Sequence, residues 1–180
     1  MNLLSHIQLM SQYNQGMNHQ VYEAAAHLSE EKLSEDKGAF FGSILGTFNH
    51  LMVADIIWLK RFSIHPTHHS AIDEIRGLAQ PSSLDQVLYS NFPELAAERR
   101  KLDETIMSWC NQITESDLQY NLSYKNMKGQ PAVKAFGSLI LHFFNHQTHH
   151  RGQVTTLLSQ EGLDVGVTDL LAVIPNELEA

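Results

Sequence analysis

The sequence is short of cysteine, of positive charge and of long apolar runs. Its single cysteine, Cys110, excludes an intramolecular disulfide and fits a reducing compartment. It lies beside Trp109 on a helical pattern, where a thiol serves as core filling. Lysine and arginine total 12 against 20 aspartates and glutamates, for a formal net charge of −8. That sign argues against a phosphate-backbone partner, so no nucleic-acid partner is expected. No stretch reaches the roughly 18 apolar residues of a membrane span, so no membrane partner is expected either. The opening MNLLSHIQLMSQYNQ lacks a basic leader followed by an apolar run. It does not read as a signal peptide, and a cytoplasmic location is expected. Acidic residues are scattered, with no repeat, low-complexity run or composition break, so residues 1–180 are expected to form one domain. Histidine, by contrast, is abundant: there are 11.

Hydrophobic periodicity organises the chain into four long helices. In the first, Leu3, Ile7, Met10, Asn14, Met17, Val21, Ala24 and Leu28 alternate spacings of four and three, with Asn14 the polar exception. The second is expected from about Ala39 to Phe62. Phe41, Leu45, Phe48, Met52, Leu59 and Phe62 form one stripe, with further apolar residues on other faces. The polar connector SIHPTHHSAIDEIRGLAQPSS follows and is long for a helix–helix loop. A third helix is expected to start near Ser83, where Ser83 and Gln86 fit a capping box. Its seam runs from Leu88 to Ile113, with Arg99 as a charged exception and Pro93 expected to kink or break it. Leu118, Tyr120, Leu122 and Tyr124 then alternate as in a strand, and Lys128, Gly129 and Pro131 supply turn chemistry, which fits a short hairpin. The fourth helix is expected from about Val133 to Gln160, capped by Gly162, with an apolar tail able to dock on the helices. The expected fold class is all-α: a four-helix bundle with a long crossover and a short hairpin before the last helix.

The segment FFNHQTHHRGQ interrupts the apolar seam of the fourth helix. That seam runs Leu139, Phe143, His146, His150, Gln153, Leu157, which puts two imidazoles at core positions. Residues four apart on a helix differ by about 40° and about 6 Å, so the two rings can converge on one ion. His142 and His149 fall at the edge of that face. A third ligand must come from a facing helix, and His50 is the best candidate, with Gly46 and Ala54 leaving room around its ring. Periodicity does not say which face of the second helix looks inward, because His50 lies nearly opposite the Phe41 stripe. Asn49, Asn145, Gln147, Gln153 and Asp55 are available to orient the rings, and spacing assigns none of them. His65, His68 and His69 sit in the polar connector and read as solvated. Three neutral imidazoles suit a divalent zinc, nickel, iron or manganese ion with a position left for water or substrate. Imidazole must be neutral to bind metal, so acidification toward and below about 6.5 is expected to expel the ion.

The segments TFNHLMVADIIWLKRF, HFFNHQTHHRGQVTTLL and GLDVGVTDLLAVIP together resemble the DinB family of bacterial damage-inducible proteins. NHQTHHRGQ is the most specific element, and the resemblance covers essentially the whole chain. It implies a four-helix bundle with a long crossover, often a homodimer. It also implies a divalent metal on one histidine of the second helix and two of the fourth. Those positions match His50, His146 and His150. Related bundles include bacillithiol and mycothiol S-transferases and a thiol-dependent maleylpyruvate isomerase. The resemblance therefore implies a small-molecule substrate and a low-molecular-weight thiol as partner.

Three functions follow. The first is a metal-dependent enzyme of thiol S-transferase or hydrolase type, for which no general base can be named from sequence. The second is a non-catalytic metal- or small-ligand-binding protein of a stress response, favoured if a fourth side chain such as Asp55 closes the site. The third is a dimeric structural bundle.

Overall fold

Three of the four long helices begin where a side chain caps the first free N–H groups. In the computed structural model, which describes residues 2–176, Asn2 caps α1 (Leu3–Ala25) by accepting from the Ser5 N–H. Ser43 caps α3 (Ile44–Phe62) through the Gly46 N–H, and Asn91 caps α5 (Phe92–Gln112) through the Glu94 N–H. The fourth, α7 (Phe136–Gln160), has no side-chain cap and continues directly from a strand. Its far end closes on Gly162 at φ +80°, with Leu163 N–H donating to the Leu158 carbonyl and Gly162 N–H to that of Ser159. This is the six-to-one and five-to-two closure that a left-handed glycine permits. Three short helices lie between: α2 (Glu30–Ser34), α4 (Asp73–Gly77) and α6 (Glu115–Leu118).

Ring contacts fix the helix directions. Phe48 of α3 meets Phe92 of α5 at 5.8 Å between centroids, and Phe62 meets Trp109 at 5.1 Å. Early meets early and late meets late, so α3 and α5 run the same way. Tyr22, late on α1, lies 5.7 Å from Phe92, and Phe62, late on α3, lies 6.0 Å from Phe143, early on α7. Thus α1 and α7 run opposite to α3 and α5, and residues 63–91 return along the length of the helices as a crossover. The α1 helix packs on α5 and α7, and α3 packs on α7 and α5.

The core has three layers. One end is aromatic, around Phe62, Trp109, Phe136 and Phe143; the other holds Tyr22, Phe48 and Phe92. Between them lies a buried polar layer drawn from all four long helices. Arg99 donates to Asp55 at 2.6 Å and pairs with Asp103 at 2.8 Å. Asn18 donates to Asp103 at 2.8 Å, Gln147 donates to Asp55, and Arg151 donates to Asn14. Two cations and two anions balance, so neither sign is left uncompensated away from water. Arg99 on its apolar seam is thus paired with acids.

Several expected boundaries move. The third long helix starts at Phe92, not Ser83: Ser82 and Gln86 bond to each other inside a loop instead. Pro93 neither kinks nor breaks it, because it occupies the first turn, where no intrahelical N–H is required. The second starts at Ile44 rather than Ala39, since residues 38–43 form a turn with Gly38 and Gly42 at positive φ. The fourth starts at Phe136 rather than Val133, because Pro131–Ala135 is a strand. That strand, β2, pairs antiparallel with β1 (Asn121–Lys125), Asn121 opposite Ala135, so the expected hairpin is present. In the tail Leu170 and Val173 are half-buried, while Val167, Leu171 and Ile174 stay exposed. No helix among the described residues is long and apolar enough to cross a membrane.

Candidate metal centre

The three expected histidines meet. His50 comes from the middle of α3 and is 3% exposed. Its Nε2 stands 3.2 Å from His146 Nε2 and 3.2 Å from His150 Nε2 on α7. All three ligand nitrogens lie within 4.8 Å of one another. Because α3 is buried on almost every side, it presents Phe48 to the interior and His50 to α7 at the same time.

The opposite nitrogens decide what these atoms offer. His50 Nδ1 lies 2.8 Å from the Leu84 carbonyl, which can only accept, so Nδ1 carries the proton and Nε2 a lone pair. His150 Nδ1 lies 2.8 Å from Gln153 Oε1, with the same consequence. Two lone pairs therefore face each other at 3.2 Å. The His146 ring can supply only one proton to this cluster while neutral. A shared cation resolves the repulsion, and nitrogens about 2.0–2.1 Å from one tetrahedral ion stand about 3.3 Å apart. The donor set fits a divalent metal.

Burial pushes the His50 imidazolium down to about 4. Burial, reinforced by the neighbouring rings, pushes His146 down to about 3, and His150 is lowered for the same first reason. All three rings are thus held neutral to lower pH than a free histidine, His50 and His146 most strongly.

The surroundings hold His50 in place. The Phe41 ring stacks on it at 3.7 Å between centroids and 16° between planes. Phe41 can approach because residue 46 is glycine: a Cβ there would fall 2.1 Å from the Phe41 carbonyl oxygen. Asn49, one residue before His50, accepts from the N–H groups of Leu88 and Tyr89 and donates to the Tyr89 carbonyl. It thereby pins the loop whose Leu84 carbonyl orients His50. Sequence reasoning missed Leu84 altogether, since a backbone carbonyl leaves no mark on residue type. It named Gln153 and Asn49 only as available groups.

Other expectations come out differently. Asp55 is not a fourth ligand; it is committed to Arg99 and Gln147 in the polar layer. No fourth His, Cys, Asp or Glu joins the cluster among the described residues. His142 and His149 are exposed at its edge, as expected, with His142 edge-on to Trp58 at 5.1 Å and His149 to His150 at 4.8 Å. The connector histidines are not all solvated. His68 is exposed, but His65 and His69 are buried. His69 reaches Asp117 at 3.4 Å, and His65 packs on Phe136. Burial alone would raise the Asp117 carboxyl, but bonds from Thr67, Thr114 and His69 win and hold it down to about 2. This cluster anchors the crossover to α6. Cys110 is buried in the core, and burial pushes its thiol up to about 12, as suits a packing residue.

Comparison with known proteins concerns the sequence. A protein of Bacillus subtilis (strain 168) named Protein DinB is 24% identical over 158 residues, covering 88% of this chain and 87% of that protein. No solved structure matches the chain significantly. The sequence model of the DinB family matches residues 2–177, nearly the full length, and the chain belongs to that family.

Proposed function

We propose that His50, His146 and His150 bind one divalent metal ion (zinc, nickel, iron or manganese) and that the protein is a metal-dependent enzyme acting on small molecules. The observation that carries this reading is the pair of facing lone pairs on His50 and His150, with His146 beside them. The reaction class is thiol S-transfer or hydrolysis, with a low-molecular-weight thiol as the partner in the first case. Such an ion lowers the pKa of a bound thiol or water and so supplies a nucleophile near neutral pH. Three protein ligands without a fourth among the described residues support an open position rather than a closed structural site. The protein's own residues fix the ring tautomers through Leu84 and Gln153 and shield His50 from water with Phe41. Residues 1–180 act as one domain, the four long helices forming a four-helix bundle with a crossover. Homodimerisation, a cytoplasmic location and a role in a stress response complete the proposal.

The fully metallated protein is expected to consume an electrophile in the presence of a low-molecular-weight thiol, or to hydrolyse an activated ester or amide without one. Stoichiometric metal with no turnover across both panels would leave the non-catalytic binding protein. No stoichiometric metal in untagged protein would leave the dimeric structural bundle.

A further inference from the structure

Positive charge is scarce in this chain, yet three of its cations line one cavity. The cavity measures about 550 Å³ and opens between α3, the crossover and the hairpin turn. Lys60, Arg61 and Lys125 line it, and among the described residues no aspartate or glutamate does. Lys60 is tied down, donating to the carbonyls of Ile75 and Arg76, but its charge remains. Arg61 is half-buried. Its guanidinium carbon lies 4.6 Å from the Trp58 ring centroid and 5.1 Å from that of Tyr124. Among the described residues it has no carboxylate partner.

An arginine held by two aromatic rings has already lost most of its conformational freedom, and its planar fork suits a carboxylate or phosphate. Partial burial strengthens its field, and a cavity lined by one sign of charge concentrates counter-ions. The rest of the lining is mixed: Ile57, Ile64 and Met127 are apolar, while Gln80 offers neutral hydrogen bonds. That combination suits an organic anion with an uncharged body more than a bare inorganic ion.

The cavity's place on α3 extends the argument. Arg61 follows His50 by eleven residues, which is three turns plus about 20°, so both project from one face about 16 Å apart along the axis. The loop that gives its Leu84 carbonyl to His50 also gives Gln80 and Ser82 to the cavity.

We propose that this cavity is a binding site for the carboxylate or phosphate end of an extended organic anion, with Arg61 and Lys125 as its anion contacts. The site stands whether or not the histidines hold metal. Only the further step, that the other end of the same molecule reacts at the triad, rests on the metal-centre reading.

Calorimetric titration at low ionic strength tests it with two weakly chelating probes, glycerol 3-phosphate and glutarate. At least one is expected to bind saturably and to weaken with salt. The tighter of the two identifies the anionic group. Trp58 fluorescence should change in step, because Trp109 is sealed in the core. Arg61→Met should weaken binding about tenfold or more. The exposed Lys125→Gln should weaken it severalfold with the circular dichroism unchanged. His146→Ala should bind the probe like wild type even after losing metal. No saturable binding of either probe overturns the proposal. So does equal affinity in both Arg61→Met and Lys125→Gln. Binding lost in His146→Ala but kept in Arg61→Met would place the anion at the triad and overturn it too.

Discussion

His50 Nε2 and His150 Nε2 stand 3.2 Å apart, while the other nitrogen of each ring is committed to an oxygen that only accepts. The separation is held by α3 and α7, which pack on each other. The protein therefore keeps two lone pairs together at a cost that a bound cation removes. Gln153→Ala deletes one of the two oxygens without touching the ligands. The expected result is metal affinity lowered about 10- to 100-fold with stability of the metal-free protein nearly unchanged. Chelator competition measures it, and unchanged affinity would count against Gln153 as the group that orients His150.

The loop between α4 and α5 should matter as much as the ligands. Asn49→Ala leaves the N–H groups of Leu88 and Tyr89 without their acceptor. The expected loss is about 1–3 kcal/mol of unfolding free energy in urea, together with weaker metal binding as the Leu84 carbonyl drifts. Metal affinity equal to wild type would show that Leu84 does not depend on this anchor.

Gly46→Ala is a one-carbon change with a large expected effect. The new Cβ meets the Phe41 carbonyl at 2.1 Å, so the turn carrying Phe41 must move away from His50. A destabilisation of about 1–3 kcal/mol is expected, although alanine ordinarily favours a helix. Greater stability than wild type in thermal unfolding would contradict the close approach.

Acid should weaken the metal-free fold through the histidines. Burial lowers His50 to about 4 and His146 to about 3, so the folded rings hold fewer protons than the unfolded ones. Stability is therefore lost as pH falls below about 6.5, and the loss continues to about 4 and 3. Between pH 7 and pH 4.5 the Tm of metal-free wild type should fall more steeply than that of His146→Gln. Parallel slopes would mean that His146 is not buried as described.

Much of this was readable in the sequence, and the reasons are specific. His146 and His150 stood out because α7 has a half-exposed face against which a four-residue spacing is visible. The face used by His50 was not readable, since α3 is buried on nearly all sides and its residue pattern carries little contrast. The family resemblance pointed to His50 where periodicity left the choice open. Pro93 was misplaced because a proline marks a break and a first turn equally well, and Asn91 was the cap that distinguishes them. Val133 and Ala135 are compatible with helix or strand; pairing with Asn121 and Ser123 decides for the strand. His65 and His69 looked solvated because a polar connector has no period, yet Asp117 gives them a buried neighbour 48 residues or more away in the chain. The polar layer was half visible, in Asn14 and Arg99 as exceptions to apolar seams.

That layer makes its own prediction. Asp55→Asn removes one anion from a buried, balanced set and leaves Arg99 short of a partner. A cost of about 3–5 kcal/mol is expected in urea unfolding. A loss below about 1 kcal/mol would mean that Asp103 alone satisfies Arg99.

Metal content is the most direct test of the central claim. Untagged protein is purified without chelator, offered zinc, nickel, iron and manganese in turn, and analysed by elemental mass spectrometry beside His146→Ala. The expected result is one ion per chain for at least one metal, lost about tenfold or more in the variant while its circular dichroism stays that of wild type. Substoichiometric metal under every condition, or a variant that keeps its ion, would contradict ligation by His50, His146 and His150.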